Sequence, residues 1–294
     1  MIMMKISKLI IVQKRLLYAL PCVLALLAVW GVASVVSQNG EEGDGSAVSD
    51  TCMTVAVTPT MDCLPVYVAV ETGIAAEMGC DLALQEHTSI ADCDTALVGG
   101  SAFCASTDSV RAEMLLAGMK KGAKEKYSIV RNPNSCLYLF ANRKVRVKKA
   151  SQLKDKMIAV DRKGADGMMA QYVLDSVKLV DDKAFLVNIH SLNVRMAMLA
   201  NNTMDAAVLP EPQATVARKV GHVNLYSECS RGGKVYGAFL VKKESRELFA
   251  KIYNRACDSI NKNGIAHYDS ILVRRMAVPE KFLKDIPTRM FVKL

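Results

Sequence analysis

The sequence predicts an α/β fold in two lobes that close on one another, and three observations predict it. Short apolar, strand-like runs at residues 53–57, 157–160 and 206–209 each end in polar or turn-forming residues. Strands alternate with helices along the chain, the mark of an α/β protein. The β-α-β series starts twice, at Met53 and again at Met157. In an open α/β sheet the C-terminal edge of the strands is where ligands sit. Two such edges facing one another make a clamshell suited to a small molecule.

The elements follow from periodicity and punctuation. Residues 53–57 form a strand. Residues 64–77 read as one helix, opening at Pro65, which suits a first turn, and closing at Gly79. A second strand falls at 81–85, a helix at 93–98 ended by Gly99 and Gly100, and a small-residue strand at 101–105. A helix at 110–117 and strands at 127–130 and 137–141 come next. The second series has strands at 157–160, 185–189, 206–209 and 223–226, with helices at 167–177, 193–200 and 212–220. A strand at 235–241, a long helix at 244–261 and a C-terminal helix complete the chain. The chain leaves the first lobe near residues 132–135 and returns near 234–238. Lobe one is therefore expected at 51–133 plus 236–294, and lobe two at 137–232.

The 294 residues allow two domains of ordinary size. A composition 51% hydrophobic and 23% charged excludes a disordered chain. The sequence has no repeat with the period of a solenoid. The formal charge of +9 includes Lys5, Lys8, Lys14 and Arg15, which precede an apolar run; from Gln38 onward 34 basic residues face 29 acidic ones, leaving +5. That surplus can draw anions to a cleft. The basic stretch 143–156 carries seven Lys or Arg and one Asp. It reads as a solvated turn, or as a contact with anionic lipid or a permease. Aromatic residues are 6% of the chain and are not interleaved with it, so no nucleic-acid partner is expected.

Residues 16–36 are almost wholly apolar after a basic stretch. Residues 1–37 read either as a secretory signal, with small residues for cleavage near Ser34 or Ser37, or as an uncleaved anchor of about 20 apolar residues. The length of the run favours the anchor. Either reading places the rest of the chain on the outer side of the membrane, because the positive flank stays inside. Residues 38–50, acidic and glycine-rich, read as a flexible linker.

Several chemistries lack their signatures. There is no phosphate-binding Gly-x-x-x-x-Gly-Lys loop and no Gly-x-Ser-x-Gly elbow. His87, His190, His222 and His267 are dispersed, so no metal site is expected. No catalytic residues and no cofactor are assigned. Nine cysteines are present, eight of them after the apolar run, a number that permits disulfides outside the cytoplasm. Cys52 and Cys80 each open one of two adjacent strands and are expected to approach. Cys63 lies in a candidate ligand loop and reads as a buried free thiol.

Four segments in order carry a resemblance. They are Thr58-Pro-Thr-x-Asp62 with Leu64-Pro-x-Tyr-x-Ala69 and Gly73-Ile74; Ala96-Leu-Val-Gly-Gly-x-Ala-Phe-Cys-Ala-Ser-Thr-Asp108; Leu153-Lys-Asp-Lys-Met-Ile-Ala-Val160; and Met196 through Asn201-Asn-Thr and Asp205 to Pro212. This arrangement resembles the substrate-binding proteins of the nitrate, sulfonate, taurine and thiamine-precursor group of ABC importers. It covers about residues 52–239. The resemblance implies the type II periplasmic binding protein fold and a monomer. It also implies a small polar solute held between the lobes and delivered to a membrane permease with its ATPase. The chain departs from the group in having Asn201-Asn-Thr where a glycine turn is usual, and in lacking a lipidation motif at Cys22. An enzyme on the same fold, acting in thiamine-precursor or menaquinone synthesis, is the alternative; the export segment and the lack of a reactive His, Lys or Cys cluster disfavour it. A membrane-tethered sensor is a third reading.

Three strand-to-helix loops are the candidate ligand contacts that the resemblance places at the cleft. They carry Thr58, Thr60 and Asp62; Ser106, Thr107 and Asp108; and Lys163, Gly164 and Asp166. Helix N-termini offer free N–H groups and a positive dipole end to an anion. The competing reading is ordinary N-capping by the Thr, Ser and Asp side chains. Glu211, in Pro-Glu-Pro, either accepts hydrogen bonds from a ligand amine or hydroxyl or braces the wall. It would repel a bare anion unless Arg162 or Lys163 compensates, so a zwitterion or an amino-heterocycle fits as well as an anion.

Overall fold

Among the described residues ten strands divide into two five-stranded mixed sheets of the same design. The computed structural model describes residues 51–179, 183–229 and 236–294. The apolar run at 16–36 and the linker at 38–50 lie outside these residues. Among the described residues no helix is long and apolar enough to cross a membrane.

The first sheet has the order β2-β1-β3-β10-β4. Its strands are β1 (Thr51–Val57), β2 (Cys80–Glu86), β3 (Cys104–Asp108), β4 (Tyr127–Arg131) and β10 (Gly237–Lys242). β1 runs parallel to β2 and β3, and β10 is antiparallel to β3 and β4. The second sheet has the order β7-β6-β8-β5-β9. It comprises β5 (Cys136–Ala141), β6 (Met157–Val160), β7 (Phe185–Asn188), β8 (Ala206–Pro210) and β9 (Val223–Cys229). β6 is parallel to β7 and β8, and β5 is antiparallel to β8 and β9. The chain thus passes between sheets twice, from β4 to β5 and from β9 to β10. Each time it enters the new sheet as the antiparallel strand beside the parallel trio. Both sheets belong to one compact unit, Ser49–Leu294.

The helices are α1 (Leu64–Glu71), α2 (Ile74–Glu77), α3 (Ile90–Val98), α4 (Ser109–Gly118), α5 (Lys121–Lys124), α6 (Ala165–Ser176), α7 (Leu192–Ala200), α8 (Gln213–Lys219), α9 (Arg246–Asn263) and α10 (Asp269–Met276). They cover both faces of each sheet, and the period-two alternation of the strands assigns the side chains. Met53, Val55, Val57, Phe239 and Val241 join the core under α1, α9 and α10, whereas Ala56, Ala105 and Leu240 join the core under α3. Ile158, Val160 and Val208 pack with Met169 and Val173 of α6, whereas Ala159, Ala207 and Leu209 pack with Leu199 of α7 and Ala214 of α8. Strands buried on both faces read as continuous apolar runs, which is why they were legible. Phe239 meets Phe249 and Tyr253 edge-on, with centroids 4.9 and 5.6 Å apart, a favoured aromatic geometry.

Two expectations need correction. The helix expected at 64–77 is two, because Gly73 takes a left-handed conformation (φ 75°) and separates α1 from α2. The strand expected at 101–105 lies at Cys104–Asp108; residues 99–102 fold back on α3 through Ser101 N–H to Ala96 O, and β10 pairs with Ser106, Thr107 and Asp108 instead. Cys52 and Cys80 are diagonal neighbours on the paired strands β1 and β2, as expected, and both are free thiols. The disulfide of the described residues joins Cys136 to Cys229, which face each other on β5 and β9.

Candidate functional site

Between the two sheets lies a cavity of about 70 Å³, lined from both. The first sheet supplies its polar wall from the C-terminal ends of β1 and β3. Thr58 follows β1, and its hydroxyl lies 3.1 Å from the Thr60 hydroxyl and 3.4 Å from the Ser106 hydroxyl. Cys63 donates its thiol to Ser106 at 3.2 Å from beneath. Burial pushes that thiol up to about 11, which removes it as a nucleophile at neutral pH. Thr107 is buried, and its hydroxyl lies beside the Asp94 carboxylate. Asp62 stands on the same wall, its acidity reduced by burial; its carbonyl is held by Tyr253 O–H at 2.9 Å and Asn132 Nδ2 at 3.0 Å.

The facing wall is built by β6 and by α6 and α7. Asp161 ends the β6 run and takes three bonds: Arg111 Nη1 at 2.8 Å, His190 Nδ1 at 3.1 Å and Lys163 N–H at 3.1 Å. Asp166, in the first turn of α6, accepts from Asp161 N–H and from Arg195. Arg195 also donates to the carbonyls of Ile189 and Val208, so it is fixed from three sides. Arg111 extends from α4 of the first lobe, bonds Asp94 at 2.7 Å and reaches Asp161 of the second. Asp108 caps α4 through Arg111 N–H at 2.8 Å and also accepts from Ala165 N–H at the head of α6. The approach is close enough that a Cβ at Gly164 would stand 2.7 Å from Asp108 Oδ2. Further bonds join the lobes, among them Met61 N–H to Glu211 O, Gln213 Nε2 to Pro59 O, Leu192 N–H to Thr88 O and the Lys219–Asp285 ion pair.

Of the residues expected at the cleft, Thr58, Thr60, Asp62, Ser106, Thr107 and Asp166 line the cavity. Lys163 and Glu211 do not. The Lys163 side chain is exposed, and only its N–H serves the wall. The Glu211 carboxylate turns to the first turn of α8, accepting from Thr215 N–H at 3.0 Å and from Thr215 O–H at 2.7 Å, with Arg218 at 3.7 Å. It caps a helix, and its carbonyl rather than its carboxylate faces the first lobe. Asp161, His190, Arg195 and Tyr236 also line the cavity and were not anticipated. Asp161 had a signal, its position directly after the 157–160 strand. Arg195 lies mid-helix and had none.

Burial raises the Asp108 carboxyl to about 7, above its ordinary range near 3.8, despite the two N–H groups it accepts. The sign is that of a raised carboxyl. The folded state holds the proton more tightly than the unfolded chain, so stability falls as pH rises from about 4 through 7. Over pH 5 to 7 this amounts to about 2 kcal/mol. The neighbouring Asp166 charge adds to the rise, and the Arg111 charge opposes it. His222, whose ring burial lowers its pKa, acts in the opposite sense over the same window. The difference between wild type and Asp108→Asn isolates the Asp108 part. Thermal melts should show the wild type losing stability relative to the variant between pH 5 and 7; parallel curves would refute the assignment.

No protein-family model matches the sequence, and no curated protein matches it. Solved structures do. The alkanesulfonate-binding protein SsuA from Xanthomonas axonopodis pv. citri is similar at TM-score 0.68 and 15% identity, over 83% of this chain and 87% of that one. The periplasmic nitrate-binding protein NrtA from Synechocystis PCC 6803 is similar at TM-score 0.67 and 15% identity, over 79% and 69%. The periplasmic aliphatic sulphonate binding protein SsuA from Escherichia coli follows at TM-score 0.63 and 13% identity, over 82% and 81%. At these identities the likeness is one of fold: this chain has the two-lobed, type II periplasmic binding protein fold.

Proposed function

We propose that this chain is the extracytoplasmic solute-binding subunit of an ABC importer. It captures one small polar molecule between its lobes and hands it to a permease and its ATPase. The observation that carries the reading is the cavity, whose walls come from both sheets and whose polar groups gather at the C-terminal ends of β1, β3 and β6. The similar solved structures are named for binding sulfonates and nitrate. The lobes, at 51–133 with 236–294 and at 137–232, rotate on the two crossings. Ligand contacts from both sides favour the closed state. Thr58, Thr60, Asp62, Ser106, Thr107 and Asp166 are the ligand contacts we assign. We assign it no turnover, a reading supported by the Cys63 thiol beside the cavity, which burial holds protonated. The N-terminal apolar run directs the folded part to the outer face of the cytoplasmic membrane, as an anchor or a cleaved signal. The Cys136–Cys229 disulfide suits that oxidising compartment.

A thermal-shift screen of sulfonates, nitrate, pyrimidine precursors, amines and amino acids tests the proposal. A ligand at about 100 times its Kd stabilises by about 2.7 kcal/mol, or roughly 5–10 °C for a domain of this size. A 1:1 stoichiometry by calorimetry, with the ligand recovered unchanged, completes the expected result. If no small molecule shifts the melt, the proposal fails.

A further inference from the structure

We infer that the cleft selects a small organic cation, a protonated amine or amidine, and not an oxyanion. The inference rests on the solute-binding reading above and narrows it.

The charge balance of the site is acidic. Asp62, Asp108, Asp161 and Asp166 line the cavity, against Arg195 and His190. Behind the wall stand Asp94 and Arg111. Both guanidiniums are already matched, Arg111 to Asp94 and Asp161, and Arg195 to Asp166 and two carbonyls. Asp62 and Asp108 have no Arg, Lys or His of the described residues at ion-pair distance.

The seats that an anion would use are occupied from within. The N–H groups at the heads of α4 and α6, from Arg111 and Ala165, are taken by Asp108. Those of Asp161 and Gly167 are taken by Asp166. A helix N-terminus filled by its own carboxylate has little left for a second anion. What remains on the first wall is rich in acceptors: the hydroxyls of Thr58, Thr60 and Ser106, the two carboxylates without cations, and Thr107. The last is 3% exposed and lines the cavity, with its hydroxyl beside the buried Asp94 carboxylate. An ammonium has donors and no acceptor, which is the complement of this wall.

Magnitude decides between the two classes. A unit charge about 4 Å from a carboxylate interacts by about 4 kcal/mol at an effective dielectric of about 20. That term opposes an oxyanion and favours a cation, and it acts in full from Asp108 only above about pH 7. The cavity of about 70 Å³ holds roughly five waters at about 10–15 Å³ each, enough for a short amine or amidine. Leu137, Leu192 and Pro210 offer apolar surface to its carbon skeleton. Among the described residues no three His, Cys, Asp or Glu groups converge to hold a metal ion, so the cation fits as an organic one.

The test is calorimetry and thermal shift on the full-length chain in detergent at pH 8, with Asp108 ionised and ionic strength matched. The probes are propylamine, putrescine and acetamidine against nitrate, ethanesulfonate and sulfate. At least one cation should bind 1:1 and raise the melting temperature, and the oxyanions should do neither. Asp62→Asn and Asp108→Asn should each weaken that cation about 10-fold or more, the equivalent of one lost charge contact of about 1.4 kcal/mol. Should one variant fail to fold, the other and the wild-type series still decide. Stabilisation by nitrate or ethanesulfonate but not by the amines overturns the cation assignment and leaves the solute-binding reading standing. Binding of neither class overturns the cation assignment, and failure of the wider screen as well overturns both.

Discussion

Replacing Arg111 with Ala is expected to lower the stability of the protein by about 3–5 kcal/mol, or roughly 10 °C in melting temperature. The guanidinium is nearly buried and holds two carboxylates, Asp94 and Asp161, whose side chains are 3% and 2% exposed. Truncation leaves Asp94 buried without its counter-ion and Asp161 with only His190 beside it, a costly way to break such a network. Burial already raises the Asp94 carboxyl even with Arg111 present, so its loss should drive Asp94 toward protonation. Asp161 belongs to the second lobe, so the same change removes the ion pair that spans the cleft. Small-angle scattering should then show a larger ligand-free radius for the variant. The control is Arg131→Ala. Its bridge to Glu113 is more than half exposed on both sides, and such pairs contribute about 0–1 kcal/mol. Equal melting temperatures for the two variants would show that the buried network does not hold the closed form together.

That network also marks the limit of what the sequence could reveal. The central strands β1, β6, β8 and β10 were legible because they are covered on both faces and are therefore largely apolar. Thr58 and Thr60 were legible because they follow an apolar run at the sheet edge where ligands gather. β3 was misplaced for the converse reason: Ser106, Thr107 and Asp108 are polar, and only their ladder with β10 makes them a strand. The break at Gly73 lay within an otherwise helical pattern, with nothing local to separate it from the stop at Gly79. Arg111 meets Asp94 across 17 residues and Asp161 across 50, and no window of sequence contains such a pairing. Glu211 shows the remaining gap. Its place at the end of β8 was readable, but the direction of its carboxylate was not; that depends on Thr215, one turn into the next helix.

Removal of the Cys136–Cys229 disulfide is expected to have an effect of similar size. The bond closes 93 residues of chain, and the loop-entropy relation assigns a loop of that length about 4–5 kcal/mol. A Cys136→Ser, Cys229→Ser double variant should therefore melt roughly 10 °C below the wild type. The position gives the bond a second consequence. Cys136 opens β5 just after the first crossing, and Cys229 closes β9 just before the second. The covalent tie thus sits where both crossings meet the second sheet, and it keeps the ends of β5 and β9 paired while the lobes rotate. Without it those ends should fray, and amide hydrogen exchange should rise at residues 136–138 and 227–229 ahead of the rest of the sheet. A double variant that matches the wild type in both melting temperature and exchange would mean that the β5–β9 ladder alone holds that end of the sheet. The rotation would then need no covalent anchor.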